Sequence, residues 1–240
     1  MNLIIDIGNT SSKMAIYDDK ELVSIYRVNK WSFKKIEKIL SGYKIKKTIL
    51  SSVKDIPPHT AALFSPYVPF VHILSSRSKL PFRIDYETPE TLGTDRIAAI
   101  AGAFSYFPGK NILVIDAGTA LTFDYLSGTV YKGGNISPGL SMRFKALNKF
   151  TDRLPLITPS QNFLSPGRNT KEAITAGVIT GLLYEINVYI RTFEKEHTDY
   201  KIILTGGDGE FINSKINHEL SYMPDIVTDG LNYILEYNAK

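Results

Sequence analysis

An internal repeat constrains the fold more than any other feature of the chain. The stretch LIIDIGNTSSKMAIYDD begins at Leu3, and LVIDAGTALTFDYLSGTV begins at Leu113. Each has an apolar run followed by Asp, one further residue and Gly, which predicts a buried central strand that ends in a tight turn. Asp6 and Asp116 are 110 residues apart, a period far too long for a solenoid. The repeat therefore predicts duplication of a whole α/β lobe.

The regions around the two turns have similar patterns. Hairpin strands are predicted at 13–18 and 22–28 after the first turn, and at 121–126 and 129–131 after the second. Each half has one further predicted strand, at 47–53 and at 201–205. Helices are predicted near 32–40, 95–106, 140–149, 169–196 and 230–237. We expect an N-terminal lobe over 1–110 and a C-terminal lobe over 111–240.

The longest predicted helix has an apolar face. Its apolar residues at helical spacing are Ile174, Val178, Leu182, Ile186 and Tyr189. The small residues Gly177 and Gly181 lie among them. Core packing and a subunit interface both explain this pattern, and the sequence leaves the choice open.

Composition restricts the class of protein. Hydrophobic residues make up 43% and charged residues 22% of the 240 residues, the balance of an ordinary globular protein. The chain has no cysteine, which excludes disulfides and thiolate metal sites and favours a reducing, cytoplasmic location. We see no leader segment and no window approaching the ~18 apolar residues of a membrane span, so no membrane association is expected.

The net charge of +4 is compatible with an anionic substrate such as a nucleotide. The densest basic run, over 30–47, is interpreted as a solvated helix face, and no nucleic-acid binding is predicted.

The repeated turns suggest a phosphate site. Gly with Asn, Thr and Ser can direct several N–H groups and hydroxyls at one point, and the adjacent Asp can hold a cation that neutralises phosphate charge. The alternative is that Asp6 and Asp116 only make turn hydrogen bonds. Recurrence of the pattern, Lys13 after the first turn and Gly206-Gly207 after a late strand favour nucleotide binding.

A set of motifs identifies a family resemblance. These motifs are Asp6-Ile7-Gly8-Asn9-Thr10, Gly93-Thr94-Asp95-Arg96, Asp116-Ala117-Gly118-Thr119-Ala120-Leu121-Thr122, Gly133-Gly134-Asn135-Ile136-Ser137-Pro138-Gly139 and Thr205-Gly206-Gly207-Asp208. In order and spacing they resemble type III pantothenate kinase, of the acetate and sugar kinase, Hsp70 and actin superfamily. The resemblance implies an α/β fold of two related actin-like (ribonuclease H-like) lobes, each a mixed sheet flanked by helices, with a nucleotide cleft between them.

The resemblance implies roles for the acceptor-site residues. Asp95 resembles the proton acceptor, and the alternative is a carboxylate that stabilises a helix N-terminus. Arg96 would bind the substrate carboxylate, although a surface charge remains possible. Gly93, Thr94 and Tyr86 would line the pantothenate pocket, and Tyr86 could equally be a packing residue. Thr170 would reach substrate across a homodimer interface, or simply be the first helical residue after an Asn169–Glu172 capping pair.

The resemblance also implies the nucleotide and cation ligands. The ATP-binding residues would be Asp6, Ile7, Gly8, Asn9, Thr10, Ser11, Ser12, Lys13 and Thr119. Asp116 resembles the ligand of a monovalent cation, potassium or ammonium, which leaves Asp6 for Mg²⁺. The four histidines, His59, His72, His197 and His218, lack metal-site spacing, and structural or surface roles are predicted for them.

The expected function is ATP-dependent phosphorylation of pantothenate by a homodimer, the first step toward coenzyme A. Another small-molecule kinase or a phosphate-ester hydrolase of the superfamily would keep both turns and change the acceptor pocket. A nucleotide-binding accessory transcription regulator is the alternative outside enzymes. Turnover of Mg-ATP and pantothenate separates these possibilities.

Overall fold

The computed structural model describes residues 1–28, 33–57, 60–158 and 163–239. The strands are β1 (Asn2–Ile7), β2 (Ser12–Asp18), β3 (Glu21–Val28), β4 (Lys47–Ser52), β5 (Phe70–Ile73), β6 (Arg83–Ile84), β7 (Asn111–Ala117), β8 (Ala120–Ser127), β9 (Val130–Pro138), β10 (Tyr200–Thr205) and β11 (Ser221–Tyr222). The helices are α1 (Phe33–Gly42), α2 (Thr60–Phe64), α3 (Thr94–Tyr106), α4 (Leu140–Lys149), α5 (Thr170–Glu196), α6 (Gly209–Asn213) and α7 (Ile226–Asn238). His59 lies outside the described residues, as does Ser32 at the start of the first predicted helix.

The chain divides into two compact units that are not continuous halves. Unit 1 comprises Met1–Gly109, Thr129–Lys132 and Asp225–Lys240, and unit 2 comprises Lys110–Gly128 and Gly133–Pro224. The predicted lobes, 1–110 and 111–240, differ from these units chiefly in α7. This helix packs against α3 and the central strands β1 and β4, so its apolar face is buried in unit 1.

The sheet of unit 1 has the order β3-β2-β1-β4-β5. The strands β1, β2 and β3 form an antiparallel meander, while β4 runs parallel to β1 and to β5. One face of this sheet packs its apolar side chains against α1 and α2, through Leu3, Ile5, Met14, Ile16, Ile36, Leu40 and Phe64. The central strand β1 is therefore buried from Asn2 to Ile5.

The sheet of unit 2 repeats this order. Its strands run β11-β10-β7-β8-β9, with β7 antiparallel to β8 and parallel to β10. The repeated motifs thus lie on equivalent strands, since β7 corresponds to β1. The first residues of β9 belong to unit 1, where Val130 and Tyr131 pair in parallel with β6.

Helix α5 buries one face and exposes another. Ile174, Val178, Leu182 and Ile186 join the core of unit 2, and Tyr189 packs against it. The core interpretation is correct for that face. By length and composition alone α5 could also cross a membrane, with a mean hydropathy of 1.4 over 18 residues. The expectation that no window approaches a membrane span is therefore wrong, because a long core helix has the same composition.

Candidate functional site

Asp6 lies near the end of β1 in unit 1. We call it, together with Lys13, Ser51, Asp95 and Asp225, the Asp6 cluster. In the sheet register it is opposite Lys13 on β2 and Ser51 on β4. The pKa of Asp6 is raised to about 6, first by burial and second by the negative charge of Asp95. The Lys13 charge and the Ser51 side chain act in the opposite direction. Among the described residues, the buried Oδ1 of Asp6 has no hydrogen-bond partner.

The start of α3 is hydrogen-bonded to the end of β4. The Ser51 hydroxyl donates to Thr94 Oγ1 at 3.0 Å, and the Thr94 hydroxyl donates to the Ser52 carbonyl at 3.2 Å. Ser51 is fully buried. These bonds place the first turn of α3 beside the end of β1, because β4 is the parallel neighbour of β1.

Asp95 and Arg96 follow Thr94 in this first turn. Asp95 Oδ1 accepts a hydrogen bond from the Arg96 backbone N–H at 2.8 Å, so the carboxylate does stabilise a helix N-terminus. Its effect on the pKa of Asp6 also places its charge close to the cluster. The Arg96 side chain is only 6% exposed, which excludes the interpretation as a surface charge.

The β1–β2 loop supplies polar groups at the rim of this cluster. The backbone N–H of Gly8 donates to the Ser11 carbonyl at 3.1 Å, which closes a four-residue loop. Asn9, Thr10 and Ser11 are exposed, while Ser12 at the start of β2 is buried. The Lys13 ammonium lies 3.7 Å from Asp225 Oδ1, at the start of α7.

Tyr86 is half-buried in unit 1 and contacts Tyr131, with a distance of 6.4 Å between the tilted rings. This contact agrees with the packing alternative. It leaves part of the ring accessible, so the pantothenate-contact prediction remains open.

Asp116 occupies the corresponding position in unit 2. It pairs in register with Thr122 on β8 and Thr205 on β10. The β7–β8 turn is tighter than its counterpart in unit 1, because only Gly118 and Thr119 separate the strands. Thr119 is exposed, and its carbonyl accepts a hydrogen bond from the Gly139 N–H at 3.2 Å.

The chain after β10 passes close to Asp116. Gly206 has φ +95°, and a Cβ at this position would lie 2.5 Å from Asp116 Oδ1. The next turn is fixed by a 2.9 Å hydrogen bond from the Asp208 N–H to the Ala117 carbonyl. Burial raises the pKa of Asp208. Glycine at 206 thus lets the backbone approach the carboxylate.

Thr170 is exposed at the start of α5 in unit 2. The Asn169 side chain accepts a hydrogen bond from the Glu172 N–H at 3.0 Å, so the predicted capping residue is correct. Thr170 also lines a groove of about 1040 Å³ between α4 and α5, together with Arg143 and Arg168. Thr170 is thus the first residue of α5 and also faces an accessible groove.

The residues of the Asp6 cluster fit a hydrated magnesium ion. Mg²⁺ in nucleotide sites usually takes one or two carboxylates, with substrate phosphates and water as its other ligands. Asp6 offers a carboxylate oxygen that is buried and has no hydrogen bond within the described part of the chain. For a monovalent cation, Asp116 offers a carboxylate beside the backbone space that Gly206 leaves.

Two members of the Asp6 cluster, Ser51 and Asp225, received no role from the sequence. A signal for Ser51 was available, because it ends a strand parallel to β1 and such strand ends lie at one edge of a sheet. Asp225 had no local signal, since only the packing of α7 in unit 1 brings it to Lys13.

Comparison with known proteins gives the same family from a family model and from an individual relative. The family model for type III pantothenate kinase matches residues 2–192. A type III pantothenate kinase of Bacteroides fragilis is 42% identical over 239 residues, covering 99% of this chain and 98% of the relative.

Two solved structures share the fold. A Campylobacter jejuni protein assigned to the Baf family of transcriptional activators has a TM-score of 0.63 and 24% identity, covering 99% of this chain and 98% of its own. A Sinorhizobium meliloti protein assigned as a 2-dehydro-3-deoxygalactonokinase has a TM-score of 0.58 and 12% identity, covering 100% and 98%. At these identities the likeness shows the fold alone, and it confirms the predicted actin-like α/β class. The full-length sequence match and the family model show more: the chain belongs to the type III pantothenate kinase family.

Proposed function

We propose that the chain transfers the γ-phosphoryl group of ATP to the primary hydroxyl of pantothenate, with Asp95 as the group that accepts the hydroxyl proton. ATP-dependent formation of 4′-phosphopantothenate, the first step of coenzyme A biosynthesis, is the reaction of this family. One observation carries the residue assignment. Ser51, the register partner of Asp6 on β4, donates a hydrogen bond to Thr94 beside Asp95, and Lys13 is the register partner of Asp6 on β2, so a proton acceptor and phosphate-side groups are close together.

Asp95 supplies the acid–base group of the transfer. The pantothenate oxygen forms a bond to the γ-phosphorus, the bond from that phosphorus to the β–γ bridging oxygen breaks, and ADP leaves. The hydroxyl proton passes to the Asp95 carboxylate. The hydrogen bond from the Arg96 N–H holds Asp95 Oδ1, which leaves the other oxygen for the acceptor hydroxyl.

Arg96 is the candidate for the pantothenate carboxylate. A buried guanidinium suits a carboxylate because it offers several fixed donors and keeps its charge at every physiological pH. Gly93, Thr94 and Tyr86 are assigned to the same acceptor pocket.

The β1–β2 loop, from Asp6 to Lys13, is assigned to the triphosphate. Its exposed polar residues and the Lys13 ammonium suit anionic oxygens. Asp6 would hold Mg²⁺, which neutralises phosphate charge when bound. In unit 2, Thr119 is assigned to ATP and Asp116 to potassium or ammonium.

We further propose that the protein is a homodimer formed through α5. The exposed stripe of this helix is apolar over Gly177, Gly181, Tyr184 and Val188. Tyr184 is 68% exposed and Val188 62% exposed. In the part of the chain that the structure describes, no atom outside the helix backbone and the chain neighbours lies within 4 Å of the hypothetical Cβ of either glycine. An exposed apolar stripe with room for close helix approach is typical of a subunit interface. Thr170 begins the same helix, so a partner could receive it in its acceptor pocket.

We place the enzyme in the cytoplasm because its reaction consumes ATP.

The C. jejuni structure does not support the regulator alternative, because a likeness at 24% identity shows only a shared fold.

A turnover experiment tests the proposal. The purified protein is incubated with Mg-ATP and pantothenate, with and without potassium, and 4′-phosphopantothenate is measured by mass spectrometry. We expect product that depends on both substrates and increases with potassium. Nucleotide binding without product in either salt would contradict the proposal and favour a regulator.

A further inference from the structure

Lys13 lies among carboxylates from two parts of the chain. Asp6 is its cross-strand neighbour, and Asp225 Oδ1 is 3.7 Å from its ammonium. Burial raises the pKa of Asp229, one turn into α7, and the Lys13 charge acts weakly in the opposite direction. The lysine side chain is 23% exposed and the Asp225 side chain 28%, so the pair is partly shielded from water.

The backbone of Asp225 is held by hydrogen bonds at the start of α7. It precedes α7, and its carbonyl accepts hydrogen bonds from the Thr228 hydroxyl at 2.8 Å and the Asp229 N–H at 3.0 Å. Its Oδ1 is buried and has no hydrogen bond among the described residues. The Lys13 ammonium is a cation within ion-pair distance of this oxygen.

Two further contacts fix the start of α7 to the β2–β3 hairpin. The Tyr17 hydroxyl donates to Asp229 Oδ1 at 2.6 Å, and the Asn232 amide donates to the Asp19 carbonyl at 2.7 Å. Because β2 also carries Lys13, these contacts hold the backbone at the start of α7 close to the backbone of Lys13.

A separation of 3.7 Å is an ion pair without a hydrogen bond. Such a pair restricts where a flexible ammonium lies and still allows it to shift toward a ligand. We infer that Asp225 is a positioning residue, which holds the Lys13 ammonium at the start of α7 and directs it toward the nucleotide phosphates. This inference rests on the proposed function, because it assigns the phosphates to Lys13.

Simple electrostatics predicts the opposite result. Asp225 is an anion near the proposed phosphate site, so removing its charge without any change in Lys13 would tighten nucleotide binding. A positioning role predicts weaker binding, which makes the sign of the effect decisive.

The test measures binding of the Mg²⁺ complex of a non-hydrolysable ATP analogue by calorimetry, without pantothenate. We expect Asp225→Asn to raise the dissociation constant about three- to fivefold, the range for a partly exposed ion pair. In a Lys13→Met background the same substitution should cause no weakening. Asp225→Ser, which keeps a good helix N-cap, should match Asp225→Asn and replaces it if the latter does not fold.

The control is Glu236→Gln. This substitution removes a carboxylate of α7 that pairs with Lys47 on β4 at 2.7 Å, and we expect nucleotide affinity to stay unchanged. Wild-type or tighter binding by both Asp225 variants would overturn the inference, as would equal weakening in the Lys13→Met background. Absence of pantothenate turnover in the wild type would instead contradict the proposed function, because the binding measurement does not depend on it.

Discussion

Ionisation of Asp6 costs more free energy in the folded protein than in the unfolded chain. Its pKa rises from 3.8 to about 6, chiefly through burial. The raised value means that the folded state binds the proton more tightly than the unfolded state. The free energy of unfolding should therefore decrease as pH rises from about 4 to about 6, by up to about 3 kcal/mol. Residues at functional sites often reduce stability in this way.

Asp6→Asn should remove this cost. We expect the variant to be more stable than the wild type at pH 7.5, with a difference that shrinks toward pH 4, where the wild-type carboxyl is protonated. Urea unfolding at several pH values measures it. A stability difference that is independent of pH would show that the charge of Asp6 is not its source. The same variant should lose kinase activity, because an amide is a poor magnesium ligand.

Asp95→Asn tests the proton acceptor. The substitution keeps the size of the side chain and an oxygen for the Arg96 N–H, but removes the basic group. We expect kcat to fall by about 100-fold or more, while the affinity for Mg-ATP stays nearly unchanged. Steady-state kinetics and nucleotide titration together measure this split. A variant with a near-normal rate would exclude Asp95 as the base.

At the scale of elements, the segment after β10 depends on a glycine that approaches Asp116. Gly206 combines φ +95° with a Cβ position that would overlap the Ala117 carbonyl and lie 2.5 Å from Asp116 Oδ1. Gly206→Ala should therefore lower the free energy of unfolding by about 1–3 kcal/mol through strain alone, and displace the carboxylate. We expect weaker stimulation by potassium.

The neighbouring Gly207 is a matched control. Apart from its chain neighbours, no atom of the described residues lies within 4 Å of its hypothetical Cβ, so Gly207→Ala should change stability by less than about 0.5 kcal/mol. Thermal unfolding and the potassium dependence of the rate measure both variants. Equal effects of the two substitutions would indicate a general demand for glycine in this loop rather than the contact with Asp116.

Most long elements were predictable and the short ones were not, but the nine-residue strand β9, Val130–Pro138, was expected only over 129–131. Helix α4 has the predicted bounds, Leu140–Lys149, and α5 begins one residue after its predicted start. Strands β6 and β11 have two residues each and β5 has four, too few to show an apolar period. These segments become strands because they pair with a neighbouring strand, and no local sequence pattern indicates that pairing.

The start of α7 was also missed by four residues. The helix was expected from Gly230 and begins at Ile226. Its first turn is apolar and then polar without a clear period, and contact with α3 stabilises it. A Cβ at Gly230 would lie 2.6 Å from the Gly102 backbone nitrogen, so the close approach of these helices gives Gly230 a packing role within the helix.

For the whole molecule, the exposed apolar stripe of α5 predicts self-association. Tyr184→Glu combined with Val188→Glu would place two charges in the proposed interface, and we expect a monomer by light scattering. Because Thr170 begins the same helix, the KM for pantothenate should increase more than the KM for ATP. Loss of the dimer with an unchanged pantothenate KM would remove Thr170 from the acceptor pocket.

Lys195→Gln is the control for this experiment. Lys195 is exposed on the last turn of α5, beyond the apolar stretch, and its replacement should leave a dimer. A monomeric wild-type protein would contradict the dimer proposal outright.

The sequence by itself determined the duplication, the strand that precedes each acidic turn, and the family. These depend on local composition and on motifs along the chain, which near neighbours in sequence are enough to specify. Only the tertiary structure decided that α7 packs in unit 1, and that Ser51, Asp95 and Asp225 gather around Asp6 and Lys13. The physical reason is that burial of an apolar helix face is non-directional. Several surfaces of the protein could bury the apolar face of such a helix, and only the packed fold determines which of them does.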